Sequence, residues 1–228
     1  MNRIFDLELD TIRVLNQALH DLPESGDTSI WQVENPKGEH AIACGANAVV
    51  TVEIHGHAGY YCAGMNQLAS IDVHGNVGTG VAENMMSGMV RVRGNASQSA
   101  GATAHGGLLV IEGNAAARCG ISLKGADIVV RGSVGHMSGF MAQKGNLVIC
   151  EDAGQALGDS IYEANIFLRG NNSDLGADCE QKEMGPDDLE TLEKLLDQAE
   201  INLPAKSFRR YGSARNLYHF DIQKAASY

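Results

Sequence analysis

The sequence lacks the features that mark secreted, membrane-spanning and nucleic-acid-binding proteins. No apolar run approaches the ~20 residues needed to cross a bilayer, and the opening segment MNRIFDLELD has no apolar stretch of the secretory type. The formal net charge is -11, and no basic run is long enough to form a nucleic-acid-binding surface. We therefore expect a cytoplasmic protein that binds neither membranes nor nucleic acids.

The cysteines do not form a recognisable framework either. Their number is odd and no pair has the C-x-x-C spacing, which argues against disulfides and a zinc knuckle. We expect reduced, small hydrophobic residues, and Cys62 and Cys119, which have no activating neighbour in sequence, to be structural. The five are Cys44, Cys62, Cys119, Cys150 and Cys179.

What the chain does contain is a period of nineteen residues between positions 52 and 170. Seven marker positions follow one another at this step, and an aliphatic pair stands two and four residues before each, from Val52 and Ile54 to Ile166 and Leu168. Seven residues after each marker, and thirteen after each of the first six, the position holds glycine or alanine. The markers are Gly56, Gly75, Gly94, Gly113, Gly132, Glu151 and Gly170.

A fixed period near twenty with one alternating strand per copy predicts a solenoid. The dense leucine pattern of leucine-rich repeats is absent, and nineteen unequal residues suit a right-handed coil better than the eighteen-residue left-handed one. We predict an all-β solenoid, a single-stranded right-handed parallel β-helix of about seven 19-residue coils with short helical caps at both ends. The small-residue columns are expected at corners, where a positive φ favours glycine.

The flanking segments divide the chain into four parts. Residues 1–29 are predicted to form a strand and a helix that cap the first coil, and residues 30–180 the β-helix, in which Val33 is aligned with Val52 in an irregular first turn. Residues 181–204 contain an amphipathic helix, interpreted as the other cap or as a partner-facing helix. Residues 205–228, rich in arginine and aromatics, are predicted to be a docking tail, packed on its own rod or reaching a neighbour.

No residue pattern indicates catalysis. The polar column just before the markers mixes basic and acidic residues and is interpreted as a charge ladder on a solvated face. His55, His57 and His74 are the best metal candidates, but no carboxylate partner is evident and surface histidines are the favoured interpretation. We predict no catalytic, cofactor-binding or metal-binding residue on this chain. The polar column is His55, His74, Arg93, Glu112, Arg131, Cys150 and Arg169.

The repeat resembles a known family. The segments GHAGYYCAGMNQ, GNASQSAGATAHGGLLVIEG and GNAAARCGISLKGADIVVRG are similar to the GXGXG β-helix of the glutamate synthase large subunit, which also occurs in formylmethanofuran dehydrogenase. The ending FRRYGSARNLYHFDI looks like that of stand-alone members from split glutamate-synthase-like enzymes, such as N-methylglutamate synthase. Glu151 departs from the glycine column, which leaves the geometry of that corner open.

The resemblance implies a hetero-oligomer in which this rod has no active site of its own. Its expected partners are a class II glutamine amidotransferase subunit and an FMN-dependent synthase subunit, which would carry the FMN and an iron–sulfur cluster. Two alternatives remain. One is a component of a formylmethanofuran-dehydrogenase-type complex, and the other is a free-standing β-helix enzyme acting on polysaccharides.

Overall fold

The computed structural model describes residues 3–215 and confirms an all-β parallel solenoid with short helical elements. Its strands form one sheet, in the order β1 to β9, then β11, then β10. The elements are β1 (Arg3–Asp6), α1 (Ile12–His20), β2 (Ile30–Glu34), β3 (Thr51–Ile54), β4 (Ser70–Val73), β5 (Met89–Val92), β6 (Leu108–Ile111), β7 (Lys124–Val130), β8 (Lys144–Ile149), β9 (Asn165–Leu168), β10 (Cys179–Lys182), α2 (Pro186–Gln198), a 3₁₀ turn (Ala205–Ser207) and β11 (Arg209–Ser213).

The predicted period of nineteen is confirmed along the parallel strands β3 to β9. Val52 pairs with Ile71, which pairs with Val90, and the same step continues to Ile166. A second line of parallel bridges connects the coils on another side, from Ala58 through Val77 to Asn172. The inward-facing aliphatic pairs therefore stack directly over one another, as in-register parallel strands require.

The column seven residues after the markers forms a left-handed corner, as predicted. Its φ values are 55° at Ala63, 54° at Ala82 and 65° to 71° at the next three glycines. A Cβ atom at Gly101 would lie 2.5 Å from the Ile128 side chain, so the inside of the corner also requires a small residue. In the last coil the left-handed residue is Asp178.

The first coil is longer than the sequence pattern indicated. Val33 pairs with Ile54, twenty-one residues away, so the predicted alignment of Val33 with Val52 is wrong. Asn35 and Lys37 adopt left-handed φ values of 54° and 44° on either side of Pro36. The first coil as a whole accommodates two extra residues without disturbing the parallel pairing of β2 with β3.

The N-terminal end of the solenoid is covered by α1. Leu15 and Leu19 are buried in the same core as Trp31 of β2. The side-chain amide of Asn16 donates a hydrogen bond to the Ala41 carbonyl, 2.8 Å away, and thereby ties the helix to the first coil. Burial of an amphipathic stripe explains why this short helix is stable there.

The second helix is not an end cap, and this part of the prediction is wrong. α2 lies across the outer face of the sheet, because four successive strands present apolar residues outward at the same position. Those residues and the leucines of α2 form one buried cluster, separate from the solenoid core. Its central members are Val110, Val129, Val148, Phe167, Leu192, Leu195 and Leu196.

The C-terminal end is closed by a strand from the predicted tail. β11 pairs antiparallel with β9, and β10 pairs antiparallel with β11 on its outer side. Residues 205–215 of the tail therefore pack on their own solenoid and extend the sheet beyond the last coil. Residues 216–228, the rest of the predicted docking tail, lie outside the described residues.

Candidate functional surfaces

The candidate metal-binding histidines do not converge on one point. His55 lies between two carboxylates, with Nδ1 2.7 Å from Glu34 and Nε2 3.4 Å from Glu53. The His74 ring packs edge-on against it, with the ring centroids 5.2 Å apart. Within residues 3–215, no three His, Cys, Asp or Glu residues form a group that could hold a metal ion. His57, the third candidate, has a different role.

His57 begins a hydrogen-bond ladder that runs along the solenoid. Its Nδ1 accepts a hydrogen bond from the backbone N–H of Asn76, one coil on, at 2.9 Å. The Asn76 side-chain oxygen accepts in turn from the N–H of Asn95, and that of Asn95 from Asn114, each at 2.8 Å. The column lies one residue after the markers and continues through Ser133, Asp152 and Asn171. Short polar side chains at this column thus satisfy backbone donors at a bend.

The ladder supplies the closest contact at three of the marker glycines, whereas at Gly75 the closest atom is the backbone oxygen of Gly56, 2.4 Å from an added Cβ. A Cβ atom at Gly94, Gly113 or Gly132 would lie 2.3 to 2.4 Å from the asparagine oxygen of the preceding coil. Ser133, which is shorter than asparagine, stands in the coil before Glu151 and removes this closest contact. Its hydroxyl lies 3.3 Å from the Glu151 carboxylate. Glu151 therefore replaces the marker glycine in the coil that follows Ser133, where serine replaces the asparagine of the preceding coils.

Arg91, which the sequence analysis did not single out, joins the sheet to α2. It is only 5% exposed and donates to Glu112 at 2.5 Å and to the carbonyls of Ala199 and Gln198 at 3.2 and 3.3 Å. α2 has no basic residue in its last turn, so Arg91 supplies the positive charge that a helix C-terminus favours. The sequence does contain a signal for this role. At the outward-facing position of successive strands, the residue is acidic in Asp72, basic in Arg91 and apolar in Val110.

The arginines of the charge ladder lie at the surface, in line with the interpretation from the sequence, whereas Cys150 of the same column is buried. Arg93 pairs with Asp72 at 2.6 Å and Arg131 with Glu112 at 3.0 Å. The side chains of the two arginines are 44% and 56% exposed. Pairs of this kind contribute little to stability because water and salt screen them.

The cysteines are all unpaired and their thiols are held protonated. Burial raises the pKa of Cys62 and of Cys119 to about 12, and that of Cys150 and of Cys179 to about 11. Since the thiolate is the nucleophilic form, these groups are poor nucleophiles at neutral pH. The structural role predicted for Cys62 and Cys119 agrees with their complete burial.

A polar row connects three coils to the C-terminal strand. The Asn146 amide donates to Asp127 at 2.7 Å, Asn165 donates to Asn146 at 3.2 Å, and Arg210 donates to Asn165 at 2.9 Å. Arg210 also lies 3.2 Å from Asp188 in the first turn of α2. Burial raises the pKa of Asp127, although the amide of Asn146 opposes this shift. Beside this row are open depressions of about 350 and 380 Å³. These contacts hold the last coils, β11 and α2 together.

In the part of the chain that the structure describes, no helix is both long and apolar enough to span a bilayer.

Comparison with known proteins gives the chain a relative along its whole length. No family profile matches the sequence. Protein GlxC of Rhizobium meliloti (strain 1021) is 53% identical over 226 residues, and the match covers 99% of each chain. At this identity and coverage, the chain belongs to the same family as Protein GlxC.

Proposed function

We propose that this chain is the non-catalytic structural subunit of a glutamate-synthase-like enzyme. In this role it joins a class II glutamine amidotransferase subunit to an FMN-dependent synthase subunit, which carries the FMN and the iron–sulfur cluster. The most specific form of the proposal is an N-methylglutamate synthase, which converts glutamate and methylamine to N-methylglutamate and ammonia. Support comes from the resemblance of the repeat and of the ending FRRYGSARNLYHFDI to stand-alone members of that group.

The observation that carries the proposal is that polar side chains of the repeat form hydrogen bonds within the rod. Asparagine side chains bond the backbone of the next coil, and Arg91 bonds the end of α2. The thiols of Cys62 and Cys119 are buried and protonated. Among the candidates from the sequence, His57 bonds the backbone of the next coil and the two cysteines are buried, which suits a scaffold better than an enzyme.

A stacked solenoid suits the task of holding two partners at a fixed separation. Each coil contacts its neighbours through in-register strands and through the asparagine ladder, so the rod resists bending at any single point. The seven strands β3 to β9, at about 4.8 Å per step, give the regular part a length of about 30 Å. Partners bound at different places along it would keep that spacing through the reaction.

Reconstitution from purified subunits tests the proposal. The chain is co-expressed with the amidotransferase-like and synthase-like subunits encoded by the same organism, and the complex is isolated by size-exclusion chromatography. We expect one flavin-coloured complex of all three chains, and N-methylglutamate formation only when all three are present. Activity of the other two subunits at an unchanged rate without this chain would contradict the scaffold role. Activity of this chain alone would contradict its non-catalytic character.

A further inference from the structure

The two end strands of the sheet are protected to different degrees. β10, at the C-terminal end, carries Glu180 and Lys182, whose side chains form an ion pair at 2.5 Å on the outermost strand. Charged side chains on an edge strand are a common device against pairing with other chains. At the N-terminal end, β1 pairs only with β2, and no described strand covers its other edge.

The free edge of β1 presents backbone groups of known orientation. The N–H of Leu7 donates to Glu34 of β2 at 3.0 Å, and successive residues in a strand direct their N–H groups to opposite edges. The N–H groups of Ile4 and Asp6 and the carbonyl of Ile4 therefore point away from β2. Phe5 stacks on Trp31 with ring centroids 5.2 Å apart, so the Ile4 side chain is on the opposite, outward face.

Two large exposed apolar side chains lie in β1 and in the turn that follows it, and a third lies in the first turn of α1. Ile4 is 64% exposed, Leu9 is 85% exposed and Val14, in the first turn of α1, is 50% exposed. Exposed apolar residues next to an open strand edge mark an interaction site, or else an aggregation hazard that proteins usually remove. β1 carries charged residues too, Arg3 and Asp6, but unlike β10 it exposes a large apolar side chain, Ile4, beside its free edge.

The charge of the surrounding residues distinguishes between possible occupants. Residues 3–29 contain six acidic and two basic residues, a net charge of -4, and an acidic excess remains after the ion pairs of Asp27 with Arg3 and of Glu8 with Lys37. Two copies of this end would bring like charges together, which disfavours self-association. The acidic residues are Asp6, Glu8, Asp10, Asp21, Glu24 and Asp27, and the basic ones are Arg3 and Arg13.

We propose that the free edge of β1 is the docking site for an extended segment of a partner subunit, which adds to the sheet as a further strand. The segment has apolar residues to contact Ile4 and Leu9 and basic residues to match the acidic surroundings. This inference rests on the proposed function, because the segment belongs to the amidotransferase-like or the synthase-like subunit.

Backbone and side-chain contributions can be separated at Ile4. Ile4→Pro removes an N–H that faces the free edge but leaves the pairing with β2, and edge strands tolerate proline at such positions. Ile4→Ala shortens only the side chain. Met141→Lys serves as a surface control, since Met141 is exposed to a similar degree (48%) on a distant coil. Circular dichroism and urea unfolding establish that each full-length variant is folded.

Affinity for each purified partner subunit is measured by biolayer interferometry, together with hydrogen exchange at Ile4 and Asp6. We expect about tenfold weaker binding of one partner for Ile4→Pro, a smaller loss for Ile4→Ala and none for Met141→Lys. The two amides should exchange fast in the isolated chain and slowly in the complex.

Each other outcome overturns a specific part of the docking proposal. Equal losses for Ile4→Pro and Ile4→Ala would overturn strand addition, since only the side chain would then matter. Slow exchange in the isolated chain would mean that a second copy or residues 216–228 already occupy the edge. Unchanged affinity for Ile4→Pro overturns this inference and leaves the scaffold role intact, whereas failure of the unmodified chain to bind either subunit overturns both.

Discussion

The outer face of the sheet has two halves that share one backbone and differ in every other respect. At the central outward position, β3 and β4 carry Glu53 and Asp72, while β7 and β9 carry Val129 and Phe167. Glu53 and Asp72 in the first half are 29% and 24% exposed, whereas the second half is buried beneath α2. Arg91 stands at the border and bonds Glu112 in the next coil and the C-terminal end of α2. The repeat fixes the position of a side chain, and the flanking helix decides whether that position is core or surface.

The largest effect is expected from emptying the covered half. Phe167→Ala should lower the free energy of unfolding by about 3–5 kcal/mol, because it leaves a cavity between β9 and α2. Glu53→Ala at the equivalent place in the open half should change it by less than about 1 kcal/mol. Urea unfolding of both variants measures the difference, and equal losses would contradict the division of the face into two halves.

Removing the Arg91 contacts at the border of the two halves should have the next largest effect on stability. Arg91→Met leaves Glu112 without its buried partner and the last carbonyls of α2 without a donor, so we expect a loss of about 3 kcal/mol. Arg131→Met removes the exposed partner of the same Glu112 and should cost less than about 1 kcal/mol. The measurement is unfolding at low and high salt. A strong salt dependence of the Arg91→Met effect would mean that the pair is solvated after all.

A smaller effect is expected at the one lapse in the glycine column. Ser133→Asn would place a side-chain oxygen against the Cβ of Glu151 and should destabilise the protein by about 1–3 kcal/mol. The double variant Ser133→Asn with Glu151→Gly restores the arrangement of the other coils and should recover most of the loss. A double-mutant cycle by urea unfolding measures the coupling, and simple additivity would refute the proposed match.

The smallest effect concerns the interior, where the two halves should not differ. Cys62 lies in the open half and Cys119 in the covered half, and the pKa of each is raised to about 12. An unfolded thiol titrates near 8.5, so above that pH the unfolded chain loses protons that the folded chain keeps, and stability falls as the pH rises. Between pH 8 and pH 9 we expect a loss of about 0.7 kcal/mol per thiol.

Alanine variants of the two cysteines, made separately, provide the comparison. Each should reduce the slope of unfolding free energy against pH by the same amount, whatever its effect on absolute stability. A smaller reduction for Cys62→Ala than for Cys119→Ala would show that the open half admits water to the core.

Much of this fold could be predicted because its determinants are local and repeated. The aliphatic pairs from Val52 to Leu168 and the small residues at corners such as Gly101 recur at a fixed step, and both were found where expected. The longer first coil could not be predicted, because two inserted residues leave the apolar alternation of β2 intact while moving its register.

The surface on which α2 packs was not predicted, although the sequence contained a signal for it. An amphipathic stripe shows that a helix needs a partner and does not identify the partner. The signal lay in the strands, where the outward position changes from Asp72 and Arg91 to Val110 and Val129 at one point along the chain. The ladder from His57 to Asn171 was missed for another reason. Its positions are polar and exposed, and only the backbone geometry shows what they bond to.

The hydrogen-bond ladder from His57 to Asn171 connects coils of equal length. Each coil passes one side-chain hydrogen bond to the next, and among the described residues β3 and β4 contribute none to the apolar cluster beneath α2. One nineteen-residue coil could therefore be removed from or added to the open half while the covered half stays assembled. The distance between the two ends of the molecule would change in steps of about 4.8 Å. Any enzyme built on such a rod inherits a separation that evolution can reset only in whole coils.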